Sequence, residues 1–533
     1  MPDRLRTFLL AEPADVPART RQETLAEALQ VAFRTTAEGP FRLVRRYLDT
    51  FDGRVEAAGG VLFVETPAPP HRDGPAFILR WETHTPPAPQ HSLPVESVPE
   101  RAGDLPPGPF RTALATVIAP RILLPVFEVA RTARRLEVRN PAGKVVARLL
   151  IAGPGTVRAP DTDQTATLPG LVWLFPVKGY PKATRALLRF LREWEHLTET
   201  EAHEFELARA ALGRPPRRAV QPGAGLEPGE RADRAVRRLL GHLLDTLRAN
   251  EPGLRDGRDP EFLHDYRVAL RRTRTVLGQL KRLFPSEALA TFRAEFKWLG
   301  QITGSVRDLD VYLLRMDAYR SHLPARIQPD LDPLAAFLER RRREAHATLV
   351  AALDSPRYTA LMHDWRTFLE APVPEPPPTP EAGAPIRDVA ARRIWRAYRR
   401  VLKKGRAVTP ASPPETLHAL RIACKKLRYL LEIFHPLFPS KPVKRLVRDL
   451  KALQDVLGEH QDFAVQQETL QTFARQMAAE GTAPAETLTA MGRLEAHLAD
   501  RQRQAREAFA ACFDRFTRRK NRDRFTRLFR PAS

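Results

Sequence analysis

Apolar and β-branched residues in the first part of the chain fall into short runs broken by Pro and Gly. The runs Phe41–Leu48, Gly60–Val64, Ala76–Trp81, Pro125–Ala130, Arg135–Val138 and Lys144–Ile151 predict strands. The proline-heavy stretch Thr83–Pro109 predicts a long loop. Over Pro181–Trp194, residues Ala183, Leu187, Phe190 and Leu191 recur on one side of a helix, and Pro181 stands where a helix start tolerates it. Gly213–Pro228 is too rich in Pro and Gly for a regular element and predicts a hinge. From Gly229 to about Phe368 the pattern is almost wholly helical. A second proline-rich stretch, Ala371–Pro385, predicts a semi-rigid linker, after which helical patterning runs to about Phe529. The expected division is a mixed β and α part (1–212), a hinge (213–228), a first helical half (229–370), a linker (371–386) and a second helical half (387–529).

The helical part contains an internal repeat. Residues 263–311 align without gaps on 417–465 at a constant offset of 154, with about 15 of 49 positions identical. LHDYRVALRRTRTVL faces LHALRIACKKLRYLL, LFPS at Leu283–Ser286 recurs at Leu437–Ser440, and Gly304 and Asp308 recur as Gly458 and Asp462. The period is far longer than a solenoid unit, so the repeat predicts a duplicated helical bundle.

Length and composition bound what such a chain is. At 533 residues and 43% hydrophobic, it has material for several cores and is not generally disordered. Its 2 cysteines, Cys424 and Cys512, make neither a disulfide framework nor a four-cysteine zinc site, which fits a reducing, cytoplasmic setting. The first residues lack the apolar core of a secretory signal, and no run is long enough to predict a membrane-inserted helix. The formal charge of +23 predicts a polyanionic partner or an anionic surface. It is unevenly placed, with +2 over residues 1–213 and +21 over 214–533.

Within the repeat the cations are ordered. His264, Arg267, Arg271 and Arg274 stand at i, i+3, i+7 and i+10, one face of a helix, and His418, Arg421, Lys425 and Arg428 repeat the spacing. Arg272 and Lys426 flank the stripes. A neighbouring apolar strip (Leu263, Leu270 and Leu277; Leu417, Cys424 and Leu431) is expected to face a core. Neither four-cation stripe contains an acid, so counter-charge must come from another helix or from a ligand. Downstream, Lys441, Lys444, Arg445, Arg448 and Lys451 form a further row, answered in the first copy only by Arg293 and Lys297. Guanidinium and ammonium groups both suit phosphate oxygens, and a rigid row of them suits a polymer of phosphates. Two readings stay open for each histidine, phosphate contact or helix capping and packing. Asp308 and Asp462 either orient an arginine or histidine of the stripe from behind or cap helices. No metal ligand set accompanies the histidines.

The duplicated H-x-x-R-[V/I]-A-x-[R/K]-[R/K]-x-R element with its G-x-x-x-D resembles the CHAD domain, the conserved-histidine α-helical domain, over about residues 225–529. The resemblance implies two pseudo-twofold-related helical bundles whose basic residues line a groove that binds inorganic polyphosphate, without catalysis and with no cofactor. It implies phosphate contact for His264, Arg267, Arg271, Arg274, His418, Arg421, Lys425 and Arg428. The first part more distantly resembles the CYTH, or triphosphate tunnel, domain through YLDTFD (Tyr47–Asp52), EVARTARRL (Glu128–Leu136) and GYPKATR (Gly179–Arg185). That implies an antiparallel β-barrel, and so an α+β multidomain protein. Its departures imply a degenerate, non-enzymatic barrel. There is no E-x-E-x-K strand, Val145–Ile151 carries Arg148 and no acid, and Val61–Glu65 replaces a basic strand. Without those carboxylates a triphosphatase has no evident site for its divalent ion. Arg131, Arg134, Arg135 and Lys182 are either surface charge or an anion site.

The first expectation is therefore non-catalytic binding of inorganic polyphosphate, with placement at polyphosphate granules. A metal-dependent triphosphatase or polyphosphatase is the alternative enzyme reading. Charge-driven nucleic-acid binding is the third, though no helix-turn-helix, zinc-finger or aromatic-basic motif supports it. The basic tail Arg518–Arg530 is either a frayed, solvated helix or an interaction segment. The sequence sets no oligomeric state.

Overall fold

The computed structural model describes residues 5–11, 18–66, 75–83, 91–215 and 225–531. The chain divides into two compact units, Met1–Ala219 and Val220–Ser533.

The first unit runs β1 (Arg6–Leu10), α1 (Ala18–Ala32), β2 (Thr35–Asp49), α2 (Arg54–Ala57), β3 (Gly60–Glu65), β4 (Phe77–Thr83), β5 (His91–Val95), α3 (Pro109–Ile118), β6 (Leu124–Arg139), β7 (Val145–Arg158), β8 (Thr165–Leu168), β9 (Gly170–Pro176), α4 (Pro181–Glu193), β10 (Leu197–Thr200) and α5 (Glu204–Ala211). Every strand pairing is antiparallel, in the order β10-β1-β9-β7-β6-β2-β3-β4-β5, with β8 on β7. The sheet is antiparallel as expected. Among the described residues the ladders run as one path from β10 to β5, with none between those two strands.

Two expected strands are one. The charged residues Arg131–Arg134 looked like a break, but they continue β6 between its apolar ends. The expected loop Thr83–Pro109 holds β5 and the start of α3, with 84–90 outside the described residues. Pro94 is tolerated because β5 is an edge strand. The YLDTFD element proves to be a turn staple. Asp49 accepts from the backbone N–H of Thr50, Val55 and Glu56, which orders α2. Asp52 pairs with Arg54 and Arg121.

The second unit is helical: α6 (Ala232–Asp256), α7 (Pro260–Gln279), α8 (Ser286–Leu314), α9 (Met316–Ser321), α10 (Asp332–Leu353), α11 (Pro356–Glu370), α12 (Pro380–Gly383), α13 (Ile386–Arg406), α14 (Pro414–Ile433), α15 (Ser440–Ala479), α16 (Ala485–Thr517) and α17 (Arg519–Phe529). The packing order repeats with the sequence. In the first half α6 packs on α7, α7 on α8, α8 on α10, and α11 returns to α6. In the second, α13 packs on α14, α14 on α15, α15 on α16, and α17 returns to α13. Helix starts follow local chemistry. Pro260 and Pro414 open α7 and α14, and the Asp259 carboxylate accepts from the N–H of Glu261.

The halves are not beads on a linker. One core joins Tyr312, Met316, Leu334, Phe337 and Leu338 of the first half to Leu470, Met477, Met491, Leu494 and Leu498 of the second. The proline-rich stretch, expected as a semi-rigid linker, is tied down along its length. Glu375 pairs with Arg231 and Arg234, Thr379 donates to the Arg282 carbonyl, and Ala382 is buried. The basic tail is likewise not a frayed helix. Phe525 and Phe529 of α17 are fully buried, and Phe525 stacks on Tyr398 at 3.8 Å between ring centroids.

Candidate functional site

The two repeat helices bring their histidine ends to one place. A cleft of about 950 Å³ is lined by His264, Arg267 and Arg271 of α7, by Arg307 and Asp308 of α8, by Arg315 at its C-terminal end, and by Arg341 of α10. From the second copy come His418 and Arg421 of α14 and Gln461 and Asp462 of α15. The apolar strips do what the pattern predicts. Leu263, Leu270 and Leu277, like Leu417, Cys424 and Leu431, are buried beneath the cations. Burial pushes the Cys424 thiol up to about 12, so it serves the core and not chemistry.

Counter-charge is partial. Arg421 pairs with Asp462 at 2.7 Å, the neighbouring-helix partner the bare stripe required. Arg267 donates to the Gly300 carbonyl at 3.1 Å and to the Thr303 hydroxyl at 3.0 Å. Among the described residues no acid lies within ion-pair distance of Arg271. The buried Nε–H groups of Arg267, Arg271 and Arg421 have no acceptor among the described residues. Unmet guanidinium donors at a cleft are what an anion satisfies. The charges strain against one another. Burial lowers Arg267 below the usual guanidinium value, with Arg271, Arg307 and Arg274 adding to the effect against Asp308. Lys425 is pushed down to about 8, first by burial, then by Arg421, Arg271 and Arg428, against Asp462. Because Arg271 acts on Lys425, the two stripes share one electrostatic environment. Burial raises Asp308 despite Arg267 and Arg307.

The predicted residues therefore separate. His264, Arg267, Arg271, His418, Arg421, Asp308 and Asp462 line the cleft. Asp308 and Asp462 lie in mid-helix beside the stripe cations, so they are not caps. His418 is exposed and its Nδ1–H donates to Gln461 Oε1 at 3.0 Å. Lys425 and Arg428 continue the second stripe beyond the lining, and Arg428 has its own acid, Glu432, at 3.7 Å. Arg272 is half-buried, lowered by burial against Glu432 and Tyr429 of the other copy. Arg274 is exposed, its Nη1 close over Gly300. Lys426, Arg293 and Lys297 are exposed and do not line the cleft. Nor do Lys441, Lys444, Arg445, Arg448 and Lys451, which are exposed on the first turns of α15 while its cleft residues begin at Gln461.

Sequence reasoning missed Arg307, Arg315 and Arg341. The repeat hid the first, whose equivalent is Gln461. The run Arg340–Arg343 was the available signal for Arg341, but it lies outside the aligned region.

In the first unit, the candidate anion cation Arg131 is turned inward. Arg131 and Arg45 meet the buried carboxylate of Glu204 at 2.7 and 3.0 Å, and the Tyr47 hydroxyl donates to it at 2.7 Å. Arg45 also pairs with Glu65 at 2.8 Å and lies over the Trp173 ring. Burial pushes Glu204 up, but Arg131 and Arg45 outweigh it and hold the carboxyl below its usual range. Arg134 and Arg135 pair with Glu23 and Glu38, and Lys182 is exposed.

Comparison with known proteins agrees with the helical repeat. The family model of the CHAD domain matches residues 238–471, so the chain carries a CHAD domain there. An uncharacterized protein of Mycobacterium tuberculosis strain CDC 1551 is 28% identical over 309 residues, covering 56% of each chain. A second, from strain H37Rv, matches to the same extent. The chain thus spans little more than half the length of the curated relatives it matches. Among solved structures, a CHAD domain from the plant Ricinus communis is 28% identical, covering 55% of this chain and 95% of that one at a TM-score of 0.46. PptA from Streptomyces chartreusis is 20% identical, covering 54% of this chain and 100% of that one at a TM-score of 0.41. No helix among the described residues is long and apolar enough to cross a membrane.

Proposed function

We propose that the cleft binds inorganic polyphosphate without turning it over. One observation carries the reading: guanidinium groups from both repeat copies converge on a single cleft, and the buried Nε donors of Arg267, Arg271 and Arg421 lack acceptors among the described residues. A polyphosphate strand offers charged oxygens at every unit and needs no base or sugar pocket. The aromatic side chains of the cleft, Tyr312 and Phe473, sit in the apolar floor. The match to the CHAD domain supports the same ligand class. The protein would then reside where long-chain polyphosphate accumulates, including polyphosphate granules. The first unit serves as a non-catalytic accessory module. In support, Glu65 and Glu204 are committed to arginines, and Glu82 to His203, so these inward carboxylates are already engaged.

The test is titration of the full chain with long-chain polyphosphate and with tripolyphosphate, across a salt series, for wild type and for Arg267→Ala, Arg271→Ala and Arg421→Ala combined. Tight long-chain binding that the triple variant loses supports the reading. Unchanged binding in the variant refutes it, and metal-dependent release of orthophosphate by the wild type would restore the enzyme reading.

A further inference from the structure

The net charge of the protein does not reside in the cleft. Residues 386–406, 440–451 and 515–530 together hold 22 Lys and Arg against 3 Asp, a net +19 of the chain's +23. These segments are α13, the first turns of α15, and the end of α16 with α17. They form one region. Tyr398 of α13 stacks on Phe525 of α17, Asn521 of α17 donates to Asp449 of α15 at 3.1 Å, and Phe438 before α15 packs on Phe529. Eighteen of the 22 cations are exposed. Among the described residues only Arg393, Arg448 and Arg519 of them have an ion-pair partner. Such a concentration of like charge opposes folding and is relieved by a polyanion that brings no bulk to bury.

We propose that this outer face binds the phosphate backbone of double-helical nucleic acid, independent of base sequence. The features of the face select that partner. Of its aromatic rings, Tyr398, Phe516, Phe525 and Phe529 are buried in the helix junction and Trp395 is half-buried against Tyr398, so they offer no row of exposed rings of the kind that holds single strands. None of the exposed large hydrophobic residues lies on it, so it has nothing to insert into a bilayer. Sixteen of the 22 cations are arginines, whose forks grip phosphate oxygens in pairs. The 21-residue α13 is about 30 Å long, close to the rise of one duplex turn. The cleft is different in kind: it is recessed, and acids sit among its cations. The face therefore stands independently of the polyphosphate reading.

The experiment uses the full-length protein and a short blunt duplex DNA of arbitrary sequence, followed by fluorescence anisotropy over a salt series. The face variant combines Arg399→Ser, Arg400→Ser, Arg522→Ser and Arg527→Ser, all exposed positions, with circular dichroism and Tm to verify folding. The cleft variant is Arg267→Ala, Arg271→Ala and Arg421→Ala. The expected result is duplex binding by the wild type and the cleft variant, weakened at least tenfold in the face variant. The slope of log affinity against log salt should fall by about 3 to 4 for four lost phosphate contacts. Long-chain polyphosphate binding should stay with the face variant and be lost by the cleft variant. Duplex binding unchanged in the face variant overturns the proposal. So does loss of duplex binding in the cleft variant alone, or binding of the face to phosphatidylserine vesicles with none to DNA.

Discussion

Raising the pH from 7 to 9 should weaken polyphosphate binding by discharging Lys425. In the free protein its ammonium sits at about 8, lowered by burial and by Arg421, Arg271 and Arg428. A phosphate strand in the adjoining cleft, against the Arg421 and Arg271 that act on Lys425, supplies negative charge and returns it toward the ordinary lysine value of about 10.4. The complex then holds a proton that the free protein has lost above pH 8, so binding takes up a proton and affinity falls as pH rises. For a full return, the loss between pH 7 and 9 is about tenfold. Screening on a half-buried side chain reduces this to roughly three- to tenfold. Calorimetry in two buffers of different ionisation enthalpy reads both the affinity and the proton uptake. Lys425→Arg keeps the cation without the titration and should flatten the profile. Equal wild-type affinity at both pH values, or the same loss in Lys425→Arg, would refute the reasoning. On folding the same lysine acts in the opposite sense. Its folded value lies below its unfolded one, so its contribution to stability improves as pH climbs from 8 toward 10.

Other outcomes follow from single contacts. Asp308→Asn with Asp462→Asn removes the acids that neutralise Arg267 and Arg421, and should tighten polyphosphate binding several-fold in the same titration. Glu204→Ala strands Arg45 and Arg131 in the interior of the first unit and should cost about 3–5 kcal/mol, read as a lower unfolding midpoint in urea. Glu204 is held low in the folded protein, so its contribution is full above the ordinary glutamate range and is lost as pH falls through the folded value, visible in acid unfolding. Gly405→Ala would place a Cβ against the Phe513 ring, and should lower Tm by the equivalent of about 1–3 kcal/mol of overpacking, outweighing the helix-propensity gain of about 1 kcal/mol.

The helical half was legible because a duplication writes its message twice. The stripe His264–Arg274 and its copy at His418–Arg428 fixed which face is basic and which is core, and both faces stand as read. The boundary of the cleft was not legible. Spacing along a helix says which side a residue occupies, but not how far along that side the partner helix reaches. Lys441–Lys451 therefore looked equivalent to the cleft cations, although their turns of α15 lie beyond it. Arg315 and Arg341 depend on how the helices cross, which no local pattern carries. In the first unit, Arg131 read as surface charge or an anion site because its partner, Glu204, is distant in sequence, on α5. Proline content misled in a similar way. It described the stiffness of Ala371–Pro385, but the contacts of Glu375 and Thr379 decide that the segment is anchored.

The seam between the two halves has a consequence for how the ligand lies. Two identical copies meeting across such a core would form a twofold dimer, and a groove on the axis of a twofold is the same read from either end. The two copies here differ in sequence and carry no such obligation. Where the first copy has Arg307 the second has Gln461, and where the first has Arg315 the same offset gives Thr469, so one wall of the groove is richer in cations than the other. A strand of identical units laid across it meets unlike neighbours on its two sides. A polyphosphate strand bound there would meet a polarity that the polymer itself does not possess, and the stronger wall would be where a chain end or a modified unit is told apart from the middle.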